Sequence, residues 1–312
     1  TALAQSTWTG ATSGTTVNSI TYGDWTTGTN WAGAGYEGPS PVFAPTVSGV
    51  GLPAYMNEEL WISSDGGNAK MGSLTLSAGT IQQHDGVTNL KVSRIGAAGN
   101  GTLTQTGGTW NMNLGELRIG NNNNNANSNG LYTISGGTFS TLGNQTVVGS
   151  GGGGNVVLNR NQSTPGLVQA EFRISGNATV NLVQPNTVAQ ALRFGGGNGA
   201  ANSAILSVTD PDATINVWGL EMANTNTIGA TARNGLIRFS FDGNGPSRIN
   251  LTGQIGQTAA NPGGASGFAA RLTQGYLDID YTGTPLVPGT SFTLISATTG
   301  TIVVDNALFG LL

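Results

Sequence analysis

A decapeptide recurs three times along this 312-residue chain, at a fixed interval of 29 residues. The copies are GSLTLSAGTI at 72–81, GTLTQTGGTW at 101–110 and GLYTISGGTF at 130–139. A fixed period of this size is typical of repeat architectures, because units too small to bury a core alone can bury one by stacking. The spacing therefore predicts stacked turns in which Leu74, Leu103 and Tyr132 lie in one vertical file.

Each copy reads as two short β-strands joined by a glycine turn. In the second copy Trp110 and Met112 alternate with asparagines, which places the apolar side chains on one face of a strand. Each unit then closes on an apolar residue followed by glycine, and glycine accepts the positive φ of a sharp corner. The closing glycines are Gly96, Gly120 and Gly149.

Beyond residue 150 the period drifts, but strands of the same type continue. The segments AEFRISGNATV at 170–180 and AILSVTDPDATI at 204–215 match the decapeptide with insertions. We therefore predict an all-β fold, a right-handed parallel β-helix (a solenoid) of about seven or eight turns, with its repeats in residues 69–255. A β-sandwich or jelly roll, which also has many short strands, is the alternative, although neither predicts equal offsets.

The N-terminal segment differs from the repeats in composition. Residues 1–68 contain four of the six tryptophans, which are Trp8, Trp25, Trp31 and Trp61. A β-helix exposes open sheet edges at both ends, so terminal caps are expected. We therefore expect residues 1–68 to form an irregular cap packed by aromatic side chains.

The C-terminal segment, residues 256–312, reads as a second cap or an assembly segment. Its strands are predicted to form a β-hairpin region, with turns at Thr282-Gly283 and Pro288-Gly289.

Composition narrows the possible partners. Charged residues make up only 8% of the chain, the net charge is −4, and no basic patch is present, so nucleic acid is not expected as a partner. The chain has no cysteine, which excludes disulfides and Cys-ligated metal centres. No apolar run reaches 18 residues, so we expect no transmembrane segment. Ala2-Leu3-Ala4 has the small-x-small pattern that precedes a signal-peptidase site, which predicts a secreted, extracellular or cell-surface protein.

Three stretches resemble exported bacterial proteins. The opening STWTGATSG…YGDWTTGTNWAG resembles the start of exported bacterial repeat proteins. The repeat GTLTQTGGTW…LRIG is similar to autotransporter-associated β-strand repeats and to the Gly/Asn-rich repeats of surface proteins that bear PEP-CTERM sorting tails. TGTPLVPGTSFTLISATTG is similar to the last segment before such a tail. The resemblance implies an extracellular or cell-surface β-helix with a structural or adhesive role.

Few residues offer catalytic or metal-binding chemistry. The only histidine, His84, stands in IQQHDG, which reads as a turn and lacks the serine elbow of a catalytic triad. Two pairs of aspartates are separated by one residue, and hard carboxylate oxygens suit Ca²⁺. The candidate calcium ligands are Asp210, Asp212, Asp278 and Asp280. We expect no enzymatic activity and no cofactor other than Ca²⁺.

Other side chains are candidates for recognition or modification. Arg94 and Arg118 share a repeat column and predict a row of charge on one face. Trp110 and Trp218 are either core residues, which we favour, or exposed platforms for a glycan. Asn-x-Ser/Thr sequons mark the candidate glycosylation sites Asn100, Asn144, Asn161, Asn177 and Asn250.

Together these features predict an extracellular structural protein. A rod of stacked turns has two open ends, and a contact between unlike ends that does not close yields an open fibre. We therefore expect a subunit of a surface filament or sheath that polymerises with itself by end-to-end stacking. A carbohydrate-binding adhesin with surface glycans as partners is the alternative, and a polysaccharide lyase or hydrolase is less favoured.

Overall fold

The structure is a computed structural model, and the secondary structure of its described residues is almost entirely β. One short 3₁₀ helix, Gly28–Asn30, is the exception in these residues. The described ranges are 4–17, 19–33, 43–64, 70–84, 92–96, 99–113, 116–121, 129–141, 155–160, 169–182, 192–196, 203–222, 235–254, 268–272, 275–304 and 309–311.

The strands form three long sheets and one small hairpin. Sheet I has eleven strands: β1 (Ala4–Trp8), β5 (Trp31–Gly33), β6 (Phe43–Ser48), β9 (Ser73–Ala78), β12 (Gly101–Gln105), β15 (Gly130–Ile134), β18 (Gln169–Ile174), β21 (Ser203–Thr209), β24 (Gly235–Phe241), β27 (Gly275–Tyr281) and β30 (Phe309–Leu311). Sheet II has nine strands: β4 (Gly23–Asp24), β7 (Ala54–Met56), β10 (Thr80–His84), β13 (Thr109–Asn113), β16 (Thr138–Ser140), β19 (Thr179–Leu182), β22 (Thr214–Val217), β25 (Ile249–Leu251) and β28 (Ile295–Ala297). Sheet III has eight strands: β8 (Trp61–Ile62), β11 (Val92–Ile95), β14 (Glu116–Asn121), β17 (Asn155–Arg160), β20 (Leu192–Gly196), β23 (Leu220–Met222), β26 (Phe268–Leu272) and β29 (Thr301–Val304). The hairpin joins β2 (Thr16–Val17) to β3 (Ile20–Thr21).

From β6 to β29 the described strands enter sheets I, II and III in the same order, turn after turn. Neighbouring strands in each sheet are therefore three apart in the chain, and they pair in parallel; antiparallel pairing is confined, in the described strands, to β1 with β5 and to the small hairpin. The prediction of an all-β fold with long parallel sheets is confirmed. The arrangement is compatible with a β-helix or solenoid, and it does not fit a sandwich or jelly roll, whose sheets are antiparallel.

The vertical file predicted from the repeat is present. Leu74 pairs with Leu103, and Leu103 pairs with Tyr132, in adjacent strands of sheet I. The same file continues through Phe172, Leu206 and Ile237, and all six side chains are at most 2% exposed. Burying an apolar side chain of this size contributes about 2 kcal/mol, so successive turns stabilise one another through such files.

Glycines occupy the corners that the sequence predicted. Gly96 and Gly120 have φ values of +75° and +64°, as expected for closing glycines, whereas Gly149 lies outside the described residues. The turn between the two strands of the decapeptide places Gly108 above Gly79, with φ +68° and +80°. A Cβ on Gly108 would lie 2.6 Å from the carbonyl oxygen of Gly79. Stacking of identical turns therefore requires glycine here.

The predicted hairpin in the C-terminal segment is wrong. Strands β27, β28 and β29 belong to three different sheets, and each pairs in parallel with the strand of the preceding turn. Turns do occur near Thr282-Gly283 and Pro288-Gly289, but they connect one sheet to the next. Turn residues show where a strand ends, whereas they do not determine which strand it pairs with. The same three sheets also extend into residues 1–68, where β6, β7 and β8 lie.

Candidate functional site

The C-terminal end of the stack exposes apolar side chains that occupy core positions. Ile302 and Val304 are in register with the buried Ala270 and Leu272, but they are 38% and 43% exposed. Ile279, in register with the buried Phe239, is 38% exposed. Core files that are fully buried in preceding turns thus reach the surface in the last described turn.

The same end presents open sheet edges. Strands β28, β29 and β30 are the last members of sheets II, III and I, and among the described strands each has a partner on one side only. An open edge leaves backbone N–H and C=O groups available to another strand. Exposed apolar side chains and open edges together make this end a candidate assembly site.

The N-terminal end is closed in a different way. Trp8, Trp25 and Trp31 are at most 6% exposed and pack against one another, with ring centroids 4.6 to 5.9 Å apart. The Trp8 Nε1 donates to the carbonyl oxygen of Leu52 at 2.7 Å, and the Trp31 Nε1 donates to that of Trp25 at 2.7 Å. The short antiparallel strand β5 covers β1 at the edge of sheet I. Three of the four tryptophans in residues 1–68 therefore pack into one buried aromatic cluster, while the assignment of this segment as a cap stays a prediction.

Trp61, the fourth tryptophan of this segment, belongs to the outer surface. Its ring lies 4.5 Å below the guanidinium carbon of Arg94, a cation–π contact. Arg94 is in register with Arg118, so the predicted row of charge on one face is present, in sheet III. Burial lowers the pKa of Arg94, and the charge of Arg118 lowers it further, while Glu59 at 3.3 Å opposes both effects. The row is thus partly neutralised by carboxylates.

Three of the four carboxylates proposed as calcium ligands accept hydrogen bonds from protein groups. Asp278 accepts a hydrogen bond from Arg238 Nε at 2.7 Å, and Asp280 accepts one from Ser240 Oγ at 3.2 Å. Asp210 lies in the turn between β21 and β22 with φ +74°, and its Oδ2 accepts from the backbone N–H of Gly176. Asp212 lies exposed in the same turn. Within the described residues no three His, Asp or Glu side chains converge, so the calcium assignment stays a prediction.

Three of the five sequon asparagines can be placed. Asn100 is exposed, and its Oδ1 accepts from Asn129 Nδ2 at 3.0 Å. Asn177 lies exposed in a turn. Asn250 is half-buried in β25, where its Nδ2 donates to Asn216 Oδ1 at 3.3 Å, so a glycan there would replace that bond. Asn144 and Asn161 lie outside the described residues.

Neither of the two tryptophans considered as glycan platforms presents an exposed ring. Trp110 is 1% exposed and packs against Tyr132 and Phe139 in the core. Trp218 is half-buried, its ring lies over Gly253, and its Nε1 donates to the carbonyl oxygen of Gln254 at 3.0 Å. Both therefore have the structural roles that we favoured from sequence.

The only histidine lies in a strand. The backbone of His84 is in register with that of Asn113 in sheet II, so the prediction that this residue lies in a turn is wrong.

No family model, no curated protein and no solved structure matches this chain. In the part of the chain that the structure describes, no helix has the length and apolar character needed to cross a bilayer.

Proposed function

We propose that this protein is a right-handed parallel β-helix that serves as an exported, extracellular structural subunit. In this proposal copies stack end to end into a surface filament or sheath. The observation that carries it is the exposure of core files at the C-terminal end. Ile302 and Val304 have no described strand above them, and Ile279 lies beyond Leu277, the last residue of β27 that pairs with β30. A second copy would bury these side chains and pair the open edges of sheets II and III.

The proposed contact joins two unlike surfaces. The opposite end of the stack presents the first strands of sheets II and III, β4 and β8, each paired on one side only in the described residues. A contact between unlike ends repeats indefinitely when it does not close into a ring, and so gives a fibre. The sheets of eight, nine and eleven strands have seven to ten inter-strand spacings. At about 4.8 Å each, they give each subunit an axial length of about 35–50 Å.

A structural role is also consistent with how the acidic residues are used. Glycoside hydrolysis needs two carboxyl groups facing one another across a cleft with room for substrate. Here Asp278 is paired with Arg238, and Glu171 is paired with Arg173 at 3.0 Å. Both pairs lie on the surface of sheet I. The first links two adjacent strands, and the second links residues two positions apart in one strand. We therefore propose a structural protein rather than an enzyme.

Electron microscopy of a charge variant tests the filament. Val304→Lys places a cation on the exposed core file of β29, and we expect it to abolish filaments because burying an unpaired charge is costly. The matched control is Thr102→Lys on the exposed side of β12, away from both ends. Negative-stain images and sedimentation velocity should show rods for the wild type and the control, and monomers for Val304→Lys.

The wild type itself can refute the proposal. If purified protein gives only dispersed monomers at high concentration, end-to-end stacking does not occur. Thermal unfolding of Val304→Lys should match the wild-type monomer closely, because the side chain is already 43% exposed. A large loss of stability would instead show that Val304 is part of a closed core.

A further inference from the structure

The outer face of sheet II carries a regular file of threonines. Five successive strands begin with threonine, and these residues are in direct register. The file consists of Thr80, Thr109, Thr138, Thr179 and Thr214, each half-buried or exposed. Its hydroxyl groups therefore repeat at the inter-strand distance of about 4.8 Å.

A second file, of amide side chains, runs parallel to the threonines two residues further along each strand. Asn111 Nδ2 donates to Gln82 Oε1 at 3.3 Å, and Asn216 Nδ2 donates to Asn181 Oδ1 at 2.9 Å. Ser140 occupies the same file between them and is buried, as is Gln82, so Asn111, Asn181 and Asn216 are the half-buried amides that reach the surface. An amide has two N–H groups and a carbonyl with two lone pairs, so a bond along the file leaves capacity for a ligand. The bonds also hold the amides in fixed orientations, which lowers the entropic cost of binding.

The two files form a face without charged side chains. From β10 to β22 the strands of sheet II contain no Asp, Glu, Lys or Arg. In sheet III, by contrast, every strand from β11 to β26 contains at least one. Charged residues therefore follow sheet III along the stack, whereas the strands of sheet II from β10 to β22 contain none.

Sheet I separates the contributions of threonine and amide. Its outer face also carries a threonine file, Thr46, Thr75, Thr104 and Thr133, in register. No amide file accompanies it, because the residues two positions after these threonines carry hydroxyl groups instead: Ser48, Ser77, Thr106 and Ser135. The combination of hydroxyl and amide files is thus, in the described strands, a property of sheet II.

We propose that the outer face of sheet II, from β10 to β22, binds an uncharged polysaccharide chain that lies along the stack. The partner must be extended, because the donors and acceptors are arranged in a line. It must be rich in hydroxyl groups, because the face offers hydroxyls and oriented amides. It must be neutral, because the face has no charge to balance an acidic polymer. Each neutral hydrogen bond contributes only about 1 kcal/mol, so affinity comes from repetition along the file. The site does not depend on filament formation.

A pair of double variants tests the site. Thr109→Val with Thr138→Val removes two hydroxyls from sheet II, and Thr104→Val with Thr133→Val is the matched change on sheet I. Valine has the shape of threonine and favours strands, so both proteins should fold. The probes are insoluble cellulose and chitin, with immobilised polygalacturonate as the charged comparison. We expect retention of the wild type on a neutral polymer, a loss of about tenfold for the sheet II pair, and little change for the sheet I pair.

Several outcomes would overturn the inference. These are no retention of the wild type on either neutral polymer, equal losses for the two pairs, and stronger retention on polygalacturonate. If the sheet II pair instead changes the sedimentation coefficient without polysaccharide, this face contacts a second copy. Asn216→Asp, which adds a charge to the amide file, should also abolish retention. Val304→Lys should retain binding, so failure of the filament proposal and failure of this one can be distinguished.

Discussion

The two ends of the stack bury their apolar side chains to very different extents. At the N-terminal end, Trp8 and Phe43 are at most 1% exposed. At the C-terminal end, Phe292 is only half-buried and Val287 is 73% exposed. Of the eight large apolar side chains that are exposed in the described residues, six lie in 276–304.

The difference shows how a stack of parallel turns can be finished or left open. Large aromatic rings fill the cross-section at the N-terminal end, so the core of the first turns is buried, while β4 and β8 keep one edge unpaired in the described residues. The last described turn has the same register as the turns below it but no aromatic plug of this kind in 275–304. An end of this type keeps its core positions exposed until another surface covers them.

Truncating an aromatic ring at each end should show the largest contrast. Trp8→Ala leaves a cavity in a closed cluster, and we expect a loss of about 3–5 kcal/mol in the free energy of unfolding. Phe292→Ala should cost only about 1–2 kcal/mol, because part of the ring is already in water. Urea denaturation of the two variants measures both values. Equal losses would show that the ends are equally well packed.

Glycines at the two ends give a second, smaller contrast. Gly51 has φ +73°, and a Cβ there would overlap the carbonyl oxygen of Thr9, whereas Gly289 has φ +94° with no atom within 4 Å of a Cβ. Gly289→Ala should therefore cost only the strain of the positive φ, about 1–2 kcal/mol. Gly51→Ala should cost more, because its backbone must also move. Melting temperatures of the two variants decide the order, and a larger loss for Gly289→Ala would contradict it.

A buried tyrosine in the middle of the stack provides a reference for the packing of the two ends. The hydroxyl of Tyr132 is buried and donates to Gln105 Oε1 at 2.7 Å, and burial raises the pKa of this phenol well above 10.0. The phenol loses its proton at a lower pH in the unfolded chain than in the folded protein. The protonated phenol therefore contributes its full stabilisation below about pH 10, and this contribution is lost as the pH rises toward the raised pKa.

Tyr132→Phe isolates this effect. We expect it to cost about 1 kcal/mol at pH 8, because Gln105 loses its donor, and to weaken the fall in stability between pH 8 and pH 11. Urea titrations of variant and wild type at both pH values supply the comparison. An unchanged fall would mean that the alkaline sensitivity arises elsewhere, for example in the less protected ends.

The sequence was most informative where structure is local. The period placed Leu74 over Leu103, and the alternation put Trp110 in the core, because both depend only on strand geometry. The threonine file of sheet II also had a signal, since the ninth residue of each decapeptide is threonine. Its extension to Thr179 and Thr214 was hidden because the insertions shift these residues out of the 29-residue period.

The partners of the C-terminal strands could not be obtained in this way. The turn at Pro288-Gly289 is equally compatible with a hairpin and with a corner between sheets, so local chemistry does not choose. The contact of Trp61 with Arg94 was missed for the same reason, because it joins residues from successive turns. The exposed core files at Ile302 and Val304 look in sequence like any buried strand.

Sequence by itself determined the repeat, the inward and outward sides of the strands and the glycines at the corners. These features depend on the alternation of side chains and on allowed values of φ, which act over a few residues. The tertiary structure decided which strands pair, which face carries charge and which core positions are exposed in the described residues. Pairing in parallel connects residues about one whole turn apart, and whether an apolar side chain is buried depends on whether another turn lies above it.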